Sequence, residues 1–224
     1  MCNSGGISPK PNYLEMVKHA CEINGTLLIY DETITGFRFA PGGAQEYYEI
    51  LPDLTILAKA IANGFPVAAI TGNNELMSLL TNGKVVHGGT YNSQFLSMIA
   101  TVKTLENYSK KDFHNRLNEK TIFLKTGLEK VFFDENITSI ISSFPGFIFC
   151  GFGINNQPNE YRDLLNLNND MYTLFCLEMI KRGVRTLERG AWFISIEHTE
   201  EILSEIVGAS DGEISKLFDQ GIVA

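Results

Sequence analysis

The apolar positions divide the chain into helical stripes and short apolar runs. Tyr13, Leu14, Val17 and Cys21 recur near helical spacing after Pro11, and Asn24-Gly25 stops that helix. Residues 27–30 are then continuously apolar rather than alternating, which predicts a strand over 26–31 covered on both faces. Residues 54–57, 67–70 and the shorter Val85-Val86 predict three further strands. Phe95, Met98, Ile99, Val102 and Leu105 form a helical stripe expected to face a core, and residues 113–133 predict a second long helix. Beyond it the pattern predicts strands at 137–141 and 147–152, a polar loop over 155–169, a helix at 171–181, and a strand pair at 184–187 and 192–196. Helices at 199–207 and 211–220 complete the chain.

A helix feeding a buried strand is half of a βαβ unit. Residues 1–108 therefore read as an α/β domain, a mostly parallel sheet with helices. After a polar, charged stretch at 108–112, residues 109–224 read as a small α+β domain. The loop-like start, MCNSGGISPKP, leads straight into the first helix and strand. A parallel strand needs neighbours, so the expectation is a piece of a longer chain.

Composition narrows the partners. With 44% hydrophobic residues the 224-residue chain can bury a sizeable core, and its net charge of −8 argues against nucleic acid or an anionic membrane. The four cysteines form no CxxC pair and have no histidine at ligand spacing, so no metal site is expected. The opening residues show no secretory h-region and no apolar run is long enough to span a bilayer, so the expectation is a cytoplasmic protein.

The candidate chemistry begins where the first strand ends, on Asp31 and Glu32. Open α/β sheets bind ligands beyond the carboxyl ends of their strands. A carboxylate there needs a cation or donors. A nucleotide-binding strand also ends this way, but it requires a G-x-x-x-x-G-K-[ST] loop; Gly83-Lys84 is followed by Val85 and lacks the upstream glycine. The other cation is Lys59, at the end of the next apolar run. From these residues alone it reads equally as a surface lysine in a turn or as a Schiff-base lysine, an amine whose proton is easily lost. The aldehyde cofactor that needs both a lysine and a carboxylate is pyridoxal 5'-phosphate, and Gly88-Gly89-Thr90 offers backbone N–H groups and a hydroxyl for its phosphate.

The run DETITGFR, GGAQ, PDLTILAKAIANGFPVAA and HGGTYNSQ resembles the core of the class III (fold type I) pyridoxal-phosphate-dependent aminotransferases. Within them it is most similar to the glutamate-1-semialdehyde 2,1-aminomutase group and its aminotransferase relatives. The likeness spans roughly residues 6–106, and RGVRTLERGAWFISIEHTEEIL is similar to part of the family's small domain. The resemblance implies that Lys59 forms the Schiff base and shuttles protons, and that Asp31 pairs with the pyridine nitrogen. It also implies that Thr33 lies against the ring and that Thr90 bonds the phosphate of the neighbouring subunit. The expected enzyme is a homodimer acting on a small amino acid or amino-aldehyde. Arg38 and Gln45 are expected to fix a loop, and His198 and Trp192 to be structural.

The sequence departs from that family at Thr33, often valine there, at Ser93-Gln94-Phe95, and at Gly190, where the aminomutase pattern has glutamate. Family members also carry a large N-terminal segment holding the rest of the cofactor cup and most of the substrate pocket. The likeness is to their C-terminal half only. The alternative function is accordingly a non-catalytic fragment, or a subunit of a split enzyme that needs an N-terminal partner.

Overall fold

The structure, a computed structural model, describes residues 1–212. Its chain forms two compact units, residues 9–114 and residues 1–8 together with the chain from Asn115 onward.

In the first unit, helix α1 (Tyr13–Ile23) ends as its sequence suggests. Gly25 takes φ 60°, its N–H donates to Glu22 O, and the N–H of Thr26 donates to Cys21 O. The chain then enters β1 (Ile29–Glu32), followed by a short helix α2 (Ala44–Tyr47), β2 (Leu54–Leu57), a 3₁₀ turn over Lys59–Ala62 and β3 (Ala69–Gly72). The strands lie in the order β1-β2-β3, with β1 and β2 parallel and β2 and β3 antiparallel. Helices α3 (Asn74–Thr81) and α4 (Phe95–Tyr108) complete the unit. Leu57, Ile61 and Ala62 form a small core against which Phe37, Val67, Ala69 and Ala100 pack.

Three expectations for this unit fail, each for a local reason. Residues 27–30 are not covered on both faces: Leu28 is buried, whereas Leu27 and Ile29 are 48% and 51% exposed. β1 is an edge of its sheet among the described residues, and its alternate side chains meet no covering layer. Val85-Val86 is no strand, and Val86 is 93% exposed. The N–H of Val85 instead closes the end of α3 on Leu79 O. The stripe on α4 does not face a core, because Phe95, Ile99 and Val102 are exposed while Ser97 is the buried residue. The Ser97 hydroxyl donates to Pro66 O, and of the stripe Met98 and Leu105 are half-buried.

The second unit is built on most of α5 (Phe113–Asp134), the hairpin β4 (Ser139–Phe144) and β5 (Phe147–Phe152), α6 (Asn169–Lys181), β6 (Ala191–Phe193) and α7 (Glu200–Ser210). Its sheet is antiparallel throughout, in the order β4-β5-β6. All of β5 is buried. Phe132, Phe152, Tyr172, Phe175 and Trp192 interlock as one aromatic cluster. The Trp192 indole N–H donates to the Tyr172 hydroxyl at 2.7 Å. The buried Thr121 hydroxyl donates to Leu117 O and accepts the N–H of Gly146, tying α5 to the hairpin turn. Residues 184–187 form no strand. Gly183 takes φ 83° and the N–H of Val184 returns to Met179 O, so the start of that run terminates α6. The helix expected over 211–220 falls, beyond Gly212, outside the described residues. No helix among the described residues is long and apolar enough to cross a membrane.

Candidate functional site

Parallel pairing sets Asp31 opposite Ile56 and Glu32 opposite Leu57, so β1 and β2 deliver Asp31 and then Lys59 to the same end of the sheet. Asp31 is exposed, and its carboxylate accepts the N–H of Thr33 at 2.9 Å. The Thr33 hydroxyl, then that N–H, and then the charge of Lys59 hold the Asp31 carboxyl below its ordinary range. The first partner of Asp31 is thus Thr33, and Lys59 acts as a nearby cation with a smaller effect.

Lys59 is exposed, not part of a covered strand, and takes φ 45°. Left-handed backbone at a non-glycine residue costs about 1–2 kcal/mol and persists only where the surroundings over-determine it. They do so here. Ile61 and Ala62 are buried, the N–H of Ile61 donates to Ala58 O, and the Tyr108 hydroxyl donates to Ala60 O at 2.9 Å. Tyr108 in turn stacks on Phe37, whose carbonyl lies 3.0 Å from the His114 ring. A lysine in strained, pinned backbone beside an ionised carboxylate is an amine and an acceptor held on one surface.

Glu32 takes no part in that surface. It is 1% exposed and accepts three hydrogen bonds, from the Thr35 hydroxyl and the N–H groups of Ala44 and Gln45. The two adjacent carboxylates of the sequence therefore have different tasks. Residue identity alone gives Glu32 no partner. The signal available was the Gly42-Gly43 pair downstream, since Gly43 at φ 80° leaves room for the Glu32 carboxyl where a Cβ would stand. Gln45 fixes this loop, as expected, through its backbone and a 3.4 Å contact with Thr55.

Thr90 lies in the same unit on an exposed loop, residues 84–94, and no hydrogen bond joins it to Asp31, Thr33 or Lys59 among the described residues. His87 is exposed on that loop. His198 stands in the other unit, where its Nδ1 lies 3.2 Å from the N–H of Ser195, and its carbonyl accepts the Lys120 ammonium. Burial, then the Lys120 charge, lower the His198 pKa below 6.5. A histidine whose folded pKa is depressed contributes stability above its unfolded pKa and loses it as pH falls through the folded value. Thermal stability measured from pH 7 down to pH 5 is expected to fall less steeply in His198→Asn than in the parent chain.

Residues 1–209 match the family model described as Aminotransferase class-III. The glutamate-1-semialdehyde 2,1-aminomutase of Syntrophobacter fumaroxidans is 35% identical over 211 residues, which is 93% of this chain and 48% of that protein. That of Methanococcus maripaludis is 34% identical over 220 residues, 97% of this chain and 51% of the relative. Among solved structures, an omega-transaminase from Sphaerobacter thermophilus has a TM-score of 0.86 at 22% identity, over 97% of this chain and 50% of its own. A glutamate-1-semialdehyde-aminomutase from Pseudomonas aeruginosa PAO1 has a TM-score of 0.85 at 17% identity, over 98% and 50%. At those identities the structural likeness shows the fold. The chain spans about half the length of the curated relatives it matches.

Proposed function

The chain belongs to the class-III aminotransferase family, and we propose on that premise that it carries the lysine and aspartate of a pyridoxal 5'-phosphate-dependent aminotransferase or aminomutase. The observation that supports this most is the delivery of Asp31 and Lys59 to one end of adjacent parallel strands. An ionised carboxylate and a primary amine on one surface fit the two ends of a pyridine aldehyde, its ring nitrogen and its carbonyl.

Pyridoxal phosphate, when bound, supplies an aldehyde for amines and a protonated ring that draws in the electrons left when a substrate C–H bond breaks. Lys59 supplies the amine that holds the aldehyde. With the cofactor bound, Lys59 would be placed to take the proton from the substrate carbon and deliver it to the carbon that receives the amino group, as a positioned general base and acid. Asp31, kept ionised by Thr33 and Lys59, accepts the ring N–H and keeps that nitrogen protonated. Thr33 holds Asp31 and is the side chain assigned to one face of the ring. Thr90 is assigned to the phosphate of the neighbouring subunit, which makes the active form a homodimer. The free cysteines and the acidic composition suit the cytoplasm.

The substrate is a small amino acid or amino-aldehyde. Gly190 favours the broader aminotransferase activity over the aminomutase named for the relatives. It takes φ 81°, and a Cβ there would run into Cys150 O, so a glutamate has no room without a change of backbone.

A second reading is favoured by a separate observation. The first unit exposes Leu27, Ile29, Phe95, Ile99 and Val102, and β1 and β3 are open sheet edges among the described residues. Exposed apolar surface and open edges call for a partner. In this reading the chain works only when a polypeptide supplying the other half of the family's length covers them.

Titration of the purified chain with pyridoxal phosphate, followed by an amino-transfer assay over amino acid donors, tests both. A saturable visible-wavelength band with amino transfer supports the first reading. A band that appears only after addition of a polypeptide corresponding to the relatives' N-terminal half supports the second. No saturable band under either condition contradicts both.

A further inference from the structure

We propose that Glu32 is the positioning residue for Asp31, its buried side chain clamping the strap from Thr33 to Gln45 over the end of β1 and so fixing the turn whose first donors hold Asp31. This rests on the reading that Asp31 serves the site. Successive residues of a strand point to opposite faces, so Asp31 and Glu32 cannot both meet a ligand on one surface. Asp31 is exposed and Glu32 is buried.

Among the described residues, every donor to the Glu32 carboxylate comes from the strap. Oε2 accepts the Thr35 hydroxyl at 2.6 Å and the Ala44 N–H at 2.8 Å, and Oε1 accepts the Gln45 N–H at 2.8 Å. The strap also closes on the backbone of Glu32, whose carbonyl accepts the Gly36 N–H at 2.9 Å. A Cβ on Gly36 would stand 2.7 Å from that oxygen, and one on Gly43 would strike the Glu32 carboxyl. Both ends of the strap are therefore pinned to one side chain. Its first residue, Thr33, provides the N–H that holds Asp31, and its hydroxyl helps keep the Asp31 pKa low. If the strap is released, Thr33 is free to turn away, and Asp31 loses its orientation.

A glutamine at this position cannot replace the carboxylate in either orientation. Each oxygen accepts a backbone N–H, so the amide NH₂ must face a donor whichever way it is placed. The test is a carbon-13 NMR titration of the Asp31 carboxyl in the full chain without cofactor, with amide exchange at Ala44 and Gln45. In the parent chain Asp31 is expected to titrate below the ordinary aspartate range. In Glu32→Gln its midpoint is expected to rise toward that range, and the Ala44 and Gln45 amides to exchange roughly tenfold or more faster, the effect of losing one buried hydrogen bond. Thr33→Val, which removes the hydroxyl donor directly, calibrates the rise. Lys59 is unchanged in these variants, so its charge does not contribute to the difference.

A folded Glu32→Gln chain whose Asp31 titrates as in the parent overturns the inference and leaves Glu32 a residue of the fold alone. If Glu32→Gln does not fold, Thr35→Val removes one donor from the same clamp and is judged by the same two outcomes. No cofactor is present, so the result is independent of whether Asp31 meets a ring nitrogen.

Discussion

Replacing Lys59 with alanine is expected to slow amino transfer in the active assembly by about 10⁴-fold or more, the upper end of what one positioned proton-transfer group contributes. In the proposed mechanism Lys59 would both hold the aldehyde and move the proton, so its loss would remove two functions at once. Lys59→Arg is not expected to recover the rate, because a guanidinium stays protonated and cannot act as the nucleophile. The loss should come without loss of fold. Lys59 is exposed, and exposed substitutions usually lie within about 0.5 kcal/mol.

Lys59→Gly adds a second readout. The φ of 45° suits glycine, so relief of backbone strain, about 1–2 kcal/mol, should exceed the entropy cost of glycine, about 0.5–1 kcal/mol. Lys59→Gly should be as inactive as Lys59→Ala yet melt at a higher temperature. Single-turnover rates and thermal melts of the three variants check this. Parent-like rates in Lys59→Ala would remove Lys59 from the chemistry.

The largest stability effect is expected in the other unit. Phe175 is 0% exposed, and its ring centroid lies 5.5 Å from Phe152, 5.8 Å from Tyr172, 5.9 Å from Phe132 and 6.5 Å from Trp192. Phe175→Ala removes the ring these four share and leaves a cavity that interlocked aromatics cannot close. The expected cost is about 3–5 kcal/mol, a large part of the roughly 5–15 kcal/mol that stabilises a domain. The chain's one tryptophan, Trp192, lies in this cluster. Its fluorescence during chemical denaturation therefore reports this unit. Phe95→Ser, on the exposed stripe of α4, should leave that transition unmoved.

The contrast between Phe175 and Phe95 shows where the sequence was legible. Both belong to apolar stripes at helical spacing, and both helices form. Periodicity reveals that a helix has an apolar side, but not whether anything covers it. On α6 the side meets β5 and its rings. On α4 the covered residues are Ser97 and Ala100, whose small side chains allow close packing against the 3₁₀ turn and its neighbours. The same limit applies to residues 27–30. Their continuous run announced a strand, but burial of both faces depends on layers that the run itself does not encode.

Glycine signals were the most reliable where they end a helix, at Gly25, and the most easily missed where an expected strand followed, at Gly183. The run after Gly183 has strand composition, but its first N–H returns to the helix. At the candidate site, Asp31 and Lys59 stand out in the sequence because charged residues closing apolar runs are conspicuous, and the structure brings both to one end of adjacent strands. Glu32 was equally conspicuous, and its role was not legible. Its partners are backbone N–H groups of Ala44 and Gln45, which have no signature in residue identity, and only the room left by Gly43 points to them.

The central claim is that Lys59 is the lysine that takes pyridoxal phosphate. Borohydride reduction of the chain mixed with pyridoxal phosphate, followed by peptide mapping, tests it most directly. Label is expected to be confined to the peptide carrying Lys59 and absent from Lys59→Ala. Label spread over other lysines, or undiminished in Lys59→Ala, would contradict it.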